Sequence, residues 1–187
     1  MLSETHAARP GRRGAAHALA ACLALLLAVF VPAQQPSEYD VKAVYLLNFL
    51  KFVQWPDSAF ASPDSPITIC ILGRDPFGST IDSVVQDEQV EGRKVVVRRI
   101  SEPPASHKAC QLIFAAGNPR ETAPLLASLR PGELTVGEGE TFVREGGMIA
   151  FILENRRVRF DINRSAAEEA GLVLSSKLLS VARAVKK

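Results

Sequence analysis

The chain has 187 residues, 47% hydrophobic and 22% charged, which suits one globular domain with an appendage and excludes a disordered chain. Its formal charge of +2 comes from residues 1–33, where Arg9, Arg12 and Arg13 face Glu4; the remainder carries 19 basic and 19 acidic side chains. That balance argues against nucleic acid as a partner, and the lack of a repeat excludes solenoids and propellers.

Residues 1–33 read as a cleaved secretory signal. The three arginines form a positive start, Ala15 to Val31 is apolar, and Val31-Pro32-Ala33 supplies a cleavage site before polar Gln34 and Gln35. The run is short of the roughly 20 residues that span a bilayer, and no charged stop-transfer cluster follows it. Leu19-Ala20-Ala21-Cys22 resembles a lipoprotein box that would lipidate Cys22, but the apolar run continues past the cysteine. Arg12-Arg13 lacks the surroundings of a twin-arginine signal.

Residues 34–187 then read as a single domain. Ser37 caps a helix from Glu38 to Gln54, ended by Trp55-Pro56. Its apolar arc is broader than one core contact requires. Burial on two sides is one explanation; a dimer or partner surface through Val44, Leu47 and Lys51 is the other. A Ser/Pro/Asp-rich loop leads to a strand, Ile67–Leu72, a helix, Thr80–Glu88, and a strand, Lys94–Ile100. After a Pro-rich connection come a strand at Gln111–Ala115, a helix over Arg120–Leu129 and a short strand at Leu134–Val136. Met148–Glu154 and Val158–Ile162 form a hairpin turning at Asn155-Arg156. Asn163 caps a helix over Ser165–Ala170, and Ser176–Val185 forms the last helix. The alternation predicts an α/β three-layer sandwich whose mixed, mostly parallel sheet ends in an antiparallel hairpin and is flanked by helices.

Export changes the cysteine reading. Cys22 leaves with the leader, and the remaining pair, Cys70 and Cys110, suits a disulfide; two separate buried thiols are the alternative. A loop closed over 40 positions would gain about 4 kcal/mol in the chain-entropy description. Two sulfurs and one remaining histidine, His107, do not make a zinc site.

No catalytic constellation, metal site or cofactor motif emerges. His107 reads as a solvated loop residue, Gly137-Glu138-Gly139 as a turn, and Asp82, Asp87, Glu88 and Glu91 as a solvated helix face. Two loops stand where open α/β sheets bind ligands: one carries Arg74 and Asp75 after the first strand, the other Asn118 after the third. Both also fit plain strand-to-helix turns with caps. Arginines gather around the hairpin, where Arg157 and Arg159 share a face opposite Val158 and Phe160. That face suits either solvent or an acidic partner.

Several ordered segments resemble the YfiR-like periplasmic proteins: Tyr45 to Pro56, Ile69 to Gly78, Gly146-Gly147-Met148-Ile149-Ala150-Phe151, and Val158-Arg159-Phe160-Asp161-Ile162-Asn163. The last continues into Ala166-Ala167, Ala170-Gly171-Leu172 and Ser175 to Leu179, so the likeness covers Tyr39 to Val185. The resemblance implies a secreted, non-enzymatic α/β regulator. It would bind the periplasmic sensor domain of an inner-membrane diguanylate cyclase, hold it inactive and lower cyclic di-GMP and biofilm formation. It also implies a homodimer, and places Cys70 and Cys110 at positions resembling a family disulfide; no cysteine remains for a second bridge. The competing expectation is a periplasmic small-molecule-binding module, with its ligand between Arg74, Asp75 and Asn118, acting on another membrane sensor.

Overall fold

The computed structural model describes residues 35–106 and 108–187. The leader readings, Cys22 included, and the reading of His107 lie outside the described residues. Helix α1, Glu38–Phe52, begins at a reciprocal cap: the Asp40 amide donates to Ser37 Oγ at 3.2 Å, and the Ser37 amide to the Asp40 carboxylate at 2.8 Å. The helix stops two residues before the expected end. Val53–Gln54 (β1) is extended instead and pairs antiparallel with Val173–Leu174 (β9), a two-stranded sheet that sequence patterning missed.

The main sheet holds β2 (Ile67–Leu72), β3 (Gln89–Val90), β4 (Arg93–Ile100), β5 (Leu112–Ala115), β6 (Leu134–Glu138), β7 (Ile149–Glu154), β8 (Arg157–Asn163) and β10 (Ala184–Lys186). Its spatial order is β10-β8-β7-β6-β5-β2-β4-β3, with β7–β8 and β3–β4 antiparallel and the other neighbours parallel. The five strands β2, β4, β5, β6 and β7 thus follow the 2-1-3-4-5 order of a doubly wound sheet, and the chain reverses direction across the sheet between β2 and β5. The expected mixed, mostly parallel sheet with a late antiparallel hairpin is present. Asn155 and Arg156, both at positive φ, make the hairpin's two-residue turn.

Helices cover both faces. Ile67, Ile69 and Ile71 of β2 pack with Phe114, Ile149 and Phe160 beneath α1, α2 (Ser79–Val85), α5 (Arg164–Glu169) and α6 (Ser176–Val181). Cys70 and Leu72 face the other way, with Ile113 and Ala150, under α3 (Pro119–Ala127) and α4 (Glu140–Arg144). Every β2 residue is buried, which is why the strand reads as an almost unbroken apolar run. Aromatic rings lock α1 and the loop after β2 to the sheet: Phe49 of α1 meets Phe160 edge-on at 5.1 Å between centroids, and Phe77 of the loop meets Phe114 at 4.9 Å. Gly137 and Gly147 flank Phe142, and a Cβ at either would lie 2.4 or 2.2 Å from its ring.

Several expectations change. The last helix ends at Val181, not Val185. Ala182 turns extended, and Ala184–Lys186 joins the sheet edge parallel to β8, where the Arg183 guanidinium donates to both carboxylate oxygens of Asp161 and to Glu140. Gly137 and Glu138 belong to β6, so the turn begins only at Gly139. α2 stops at Val85; Asp87 and Glu91 sit at positive φ in turns around β3, while Asp82 pairs with Arg99. The acidic residues therefore do not share one helix face.

Cys70 and Cys110 form a disulfide, with Cα atoms 5.8 Å apart and both side chains fully buried on the α3 and α4 face. We expect thiol labelling of the native protein to fail without reductant, and replacing both cysteines by serine to lower urea-unfolding stability by about 2–4 kcal/mol. Two freely labelled cysteines would refute the bridge.

Candidate functional site

The loops that follow β2, β4 and β5 meet the end of β6 around a crevice of about 810 Å³ at the reversal point of the sheet. Leu72, Pro76, Pro103 and Pro124 give it apolar walls; Arg74, Glu102, Glu121 and Glu138 are its charged lining, and Tyr39 reaches it from α1. Two of the three expected ligand residues do other work. The Asp75 carboxylate accepts the Phe77 amide at 2.7 Å and the Gly78 amide at 3.3 Å, and accepts from Arg99 Nε at 3.0 Å. Asn118 caps α3 by accepting the Arg120 and Glu121 amides, while Glu121 accepts the Asn118 amide at 2.8 Å. Only Arg74 of the three lines the crevice.

Sequence reading passed over Lys42, the residue that ties α1 to this site. Its side chain is buried, with the residue 4% exposed, and the ammonium donates to Glu138 and to Glu38. It also lies 4.5 Å from the centre of the Tyr39 ring. Burial alone would lower the lysine pKa, but its hydrogen bonds to Glu138 and Glu38 outweigh that and hold it above the ordinary value. Burial, then the charge of Glu138, raises the Tyr39 phenol in turn. A polar residue set within an otherwise apolar helical arc was the available signal.

The remaining candidates separate. Leu47 is buried at 5% exposure and packs in the core, so it drops out of the proposed α1 surface. Val44 is 47% exposed, and Lys51 reaches Glu88 at 2.9 Å. Beside them, Phe52, Tyr45 and Phe49 line an apolar groove of about 220 Å³ with Phe160, Leu178 and Val181. Arg157 and Arg159 are exposed on one face of β8 and make no ion pair among the described residues, while Val158 and Phe160 are buried on the other. The crevice, the α1 surface and the arginine strip are three distinct places.

The YfiR/HmsC-like family model, DUF4154, matches residues 39–183. The chain belongs to that family. Among solved structures it is similar to a conserved domain protein from Vibrio cholerae O1 biovar El Tor, at 12% identity and a TM-score of 0.48. The alignment covers 80% of this chain and 60% of that one. A search of curated proteins gives no match.

One further ionisable group of this YfiR/HmsC-like chain is buried, away from the crevice. Glu133, just ahead of β6, is 2% exposed, and its Oε1 has no hydrogen-bond partner. Burial pushes its carboxyl up to about 7, against the opposing charge of Arg130. Between the ordinary value of 4.5 and about 7 the folded chain keeps a proton that the unfolded chain releases, so this residue's contribution to stability falls as pH rises through that window. Glu133→Gln should stabilise the protein more at pH 8 than at pH 5, by about 1–3 kcal/mol at the higher pH, in urea titrations at both values. An equal effect at the two pH values would contradict the assignment.

Proposed function

We propose that the protein is a periplasmic, non-enzymatic regulator, exported by cleavage of residues 1–33. It binds the periplasmic sensor domain of an inner-membrane diguanylate cyclase and holds it inactive, which lowers cyclic di-GMP and biofilm formation. Membership of the YfiR/HmsC-like family across residues 39–183 carries this reading.

The physical requirement is modest. A regulator that binds the inactive receptor more tightly than the active one shifts the receptor population, and the shift cannot exceed that difference in affinity. The α1 surface supports the reading: Val44 and Phe52 present apolar area by the groove against α6, which Lys177 also lines. The same surface could join two copies into a homodimer. Arg157 and Arg159 offer a second contact, suited to acidic side chains of the receptor.

Deletion of the gene should raise cellular cyclic di-GMP and surface attachment, and the intact gene supplied in trans should restore both. A copy lacking the codons for residues 2–33 should fail to restore them, because the protein would stay in the wrong compartment. Unchanged cyclic di-GMP on deletion, in cells that express the protein, would contradict the proposal.

A further inference from the structure

The crevice at the reversal point of the sheet has no part in the regulator reading. Doubly wound sheets bind ligands at this place, commonly through free backbone amides and helix N-termini that hold phosphate. Here several of those donors are already taken. Asp75 accepts the amides of Phe77 and Gly78, Asn118 accepts those of Arg120 and Glu121, and Glu121 occupies the amide of Asn118. A phosphate arriving at α3 would meet the chain's own carboxylate.

The charge that remains in the lining has the opposite preference. Glu102, Glu121 and Glu138 face Arg74, the one basic side chain that lines the crevice among the described residues. Glu102 makes no ion pair among them. Lys42 is bonded to one oxygen of Glu138, Oε1. Between these charges lie Leu72, Pro76, Pro103 and Pro124, rigid apolar walls around about 810 Å³, room for an organic molecule and far more than a lone ion needs. We propose that the crevice binds a small organic cation, a primary amine or guanidinium with an apolar body: the body rests on the proline-lined walls and the charged group reaches Glu102 and Glu138. Glu138 also anchors Lys42, so the ligand would share a carboxylate with the base of α1.

Phenethylamine and agmatine are suitable probes, with 3-phenylpropionate and adenosine monophosphate as anionic counterparts, in calorimetry and thermal-shift titrations of the purified protein. The amines should bind at millimolar concentrations or below and raise the melting temperature; the anions should not. Glu102→Gln, at an exposed position without a partner among the described residues, should weaken amine binding about fivefold with the fold intact, whereas Arg74→Gln should leave it unchanged or tighter. Glu138→Gln should weaken binding further, and Glu102→Gln decides the matter if that variant does not fold. No binding of either amine, preference for the anions, or amine affinity unchanged in Glu102→Gln would overturn the proposal. These titrations use purified protein alone, so their failure would leave the cyclic di-GMP reading untouched.

Discussion

Complete burial of β2 is the constraint from which the rest of the architecture follows. A strand with Ile67, Ile69 and Ile71 on one face and Cys70 and Leu72 on the other cannot sit at a solvated edge or beneath a single layer. It needs neighbours on both sides, supplied by β4 and β5, and helices above and below. Chain order then sends β4 to one side and β5 to the other, so the loops leaving β2 and β5 part company and open the crevice. The disulfide belongs to the same arrangement, since Cys70 lies inside this strand and Cys110 beside the start of its neighbour.

Charged groups that the sandwich encloses are handled by pairing. Lys42 is buried on α1 but split between Glu38 and Glu138, and Asp161, buried on β8, is met by the partly exposed Arg183 as the chain turns into β10. Removing one partner of such a buried pair leaves an uncompensated charge, so these contacts fix positions more than they add net stability. Lys42 fixes the most consequential position. It joins the helix that carries the exposed Val44 and Phe52 to the strand end that lines the crevice. Glu133 differs: it is buried with no ion pair among the described residues, and its Oε1 has no hydrogen-bond partner there.

Elements governed by local chemistry were legible in the sequence. Ser37, Asn118 and Asn163 cap the helices expected of them, the hairpin turns at Asn155-Arg156, and the alternation of Arg157, Val158, Arg159 and Phe160 matches their exposure. Elements decided by distant partners were not. β1 and β9 are two residues each and exist only because they pair across 120 positions of sequence, and Ala184–Lys186 is a strand because β8 offers an edge and Arg183 finds Asp161. The site divides along the same line. Arg74 lines the crevice, where its position after the first strand puts it. Asp75 and Asn118 look the same in sequence whether they hold a ligand or cap a turn, and here their oxygens are spent on backbone amides. Leu47 is buried although a helical wheel sets it among polar residues, because α1 is covered by α2 on one side and by the sheet on another; Lys42 is buried where the wheel puts it, inside the apolar arc.

The proposed action of this YfiR/HmsC-like chain is binding to a membrane receptor outside the cytoplasm. It is tested most directly by calorimetry of the purified protein against the isolated, folded periplasmic domain of a diguanylate cyclase encoded beside its gene. Saturable binding is expected, and Val44→Asp or Phe52→Asp should weaken it at least tenfold while the melting temperature of each variant stays close to that of the parent. No heat of binding at any temperature tested, together with no co-elution of the two proteins, would contradict it.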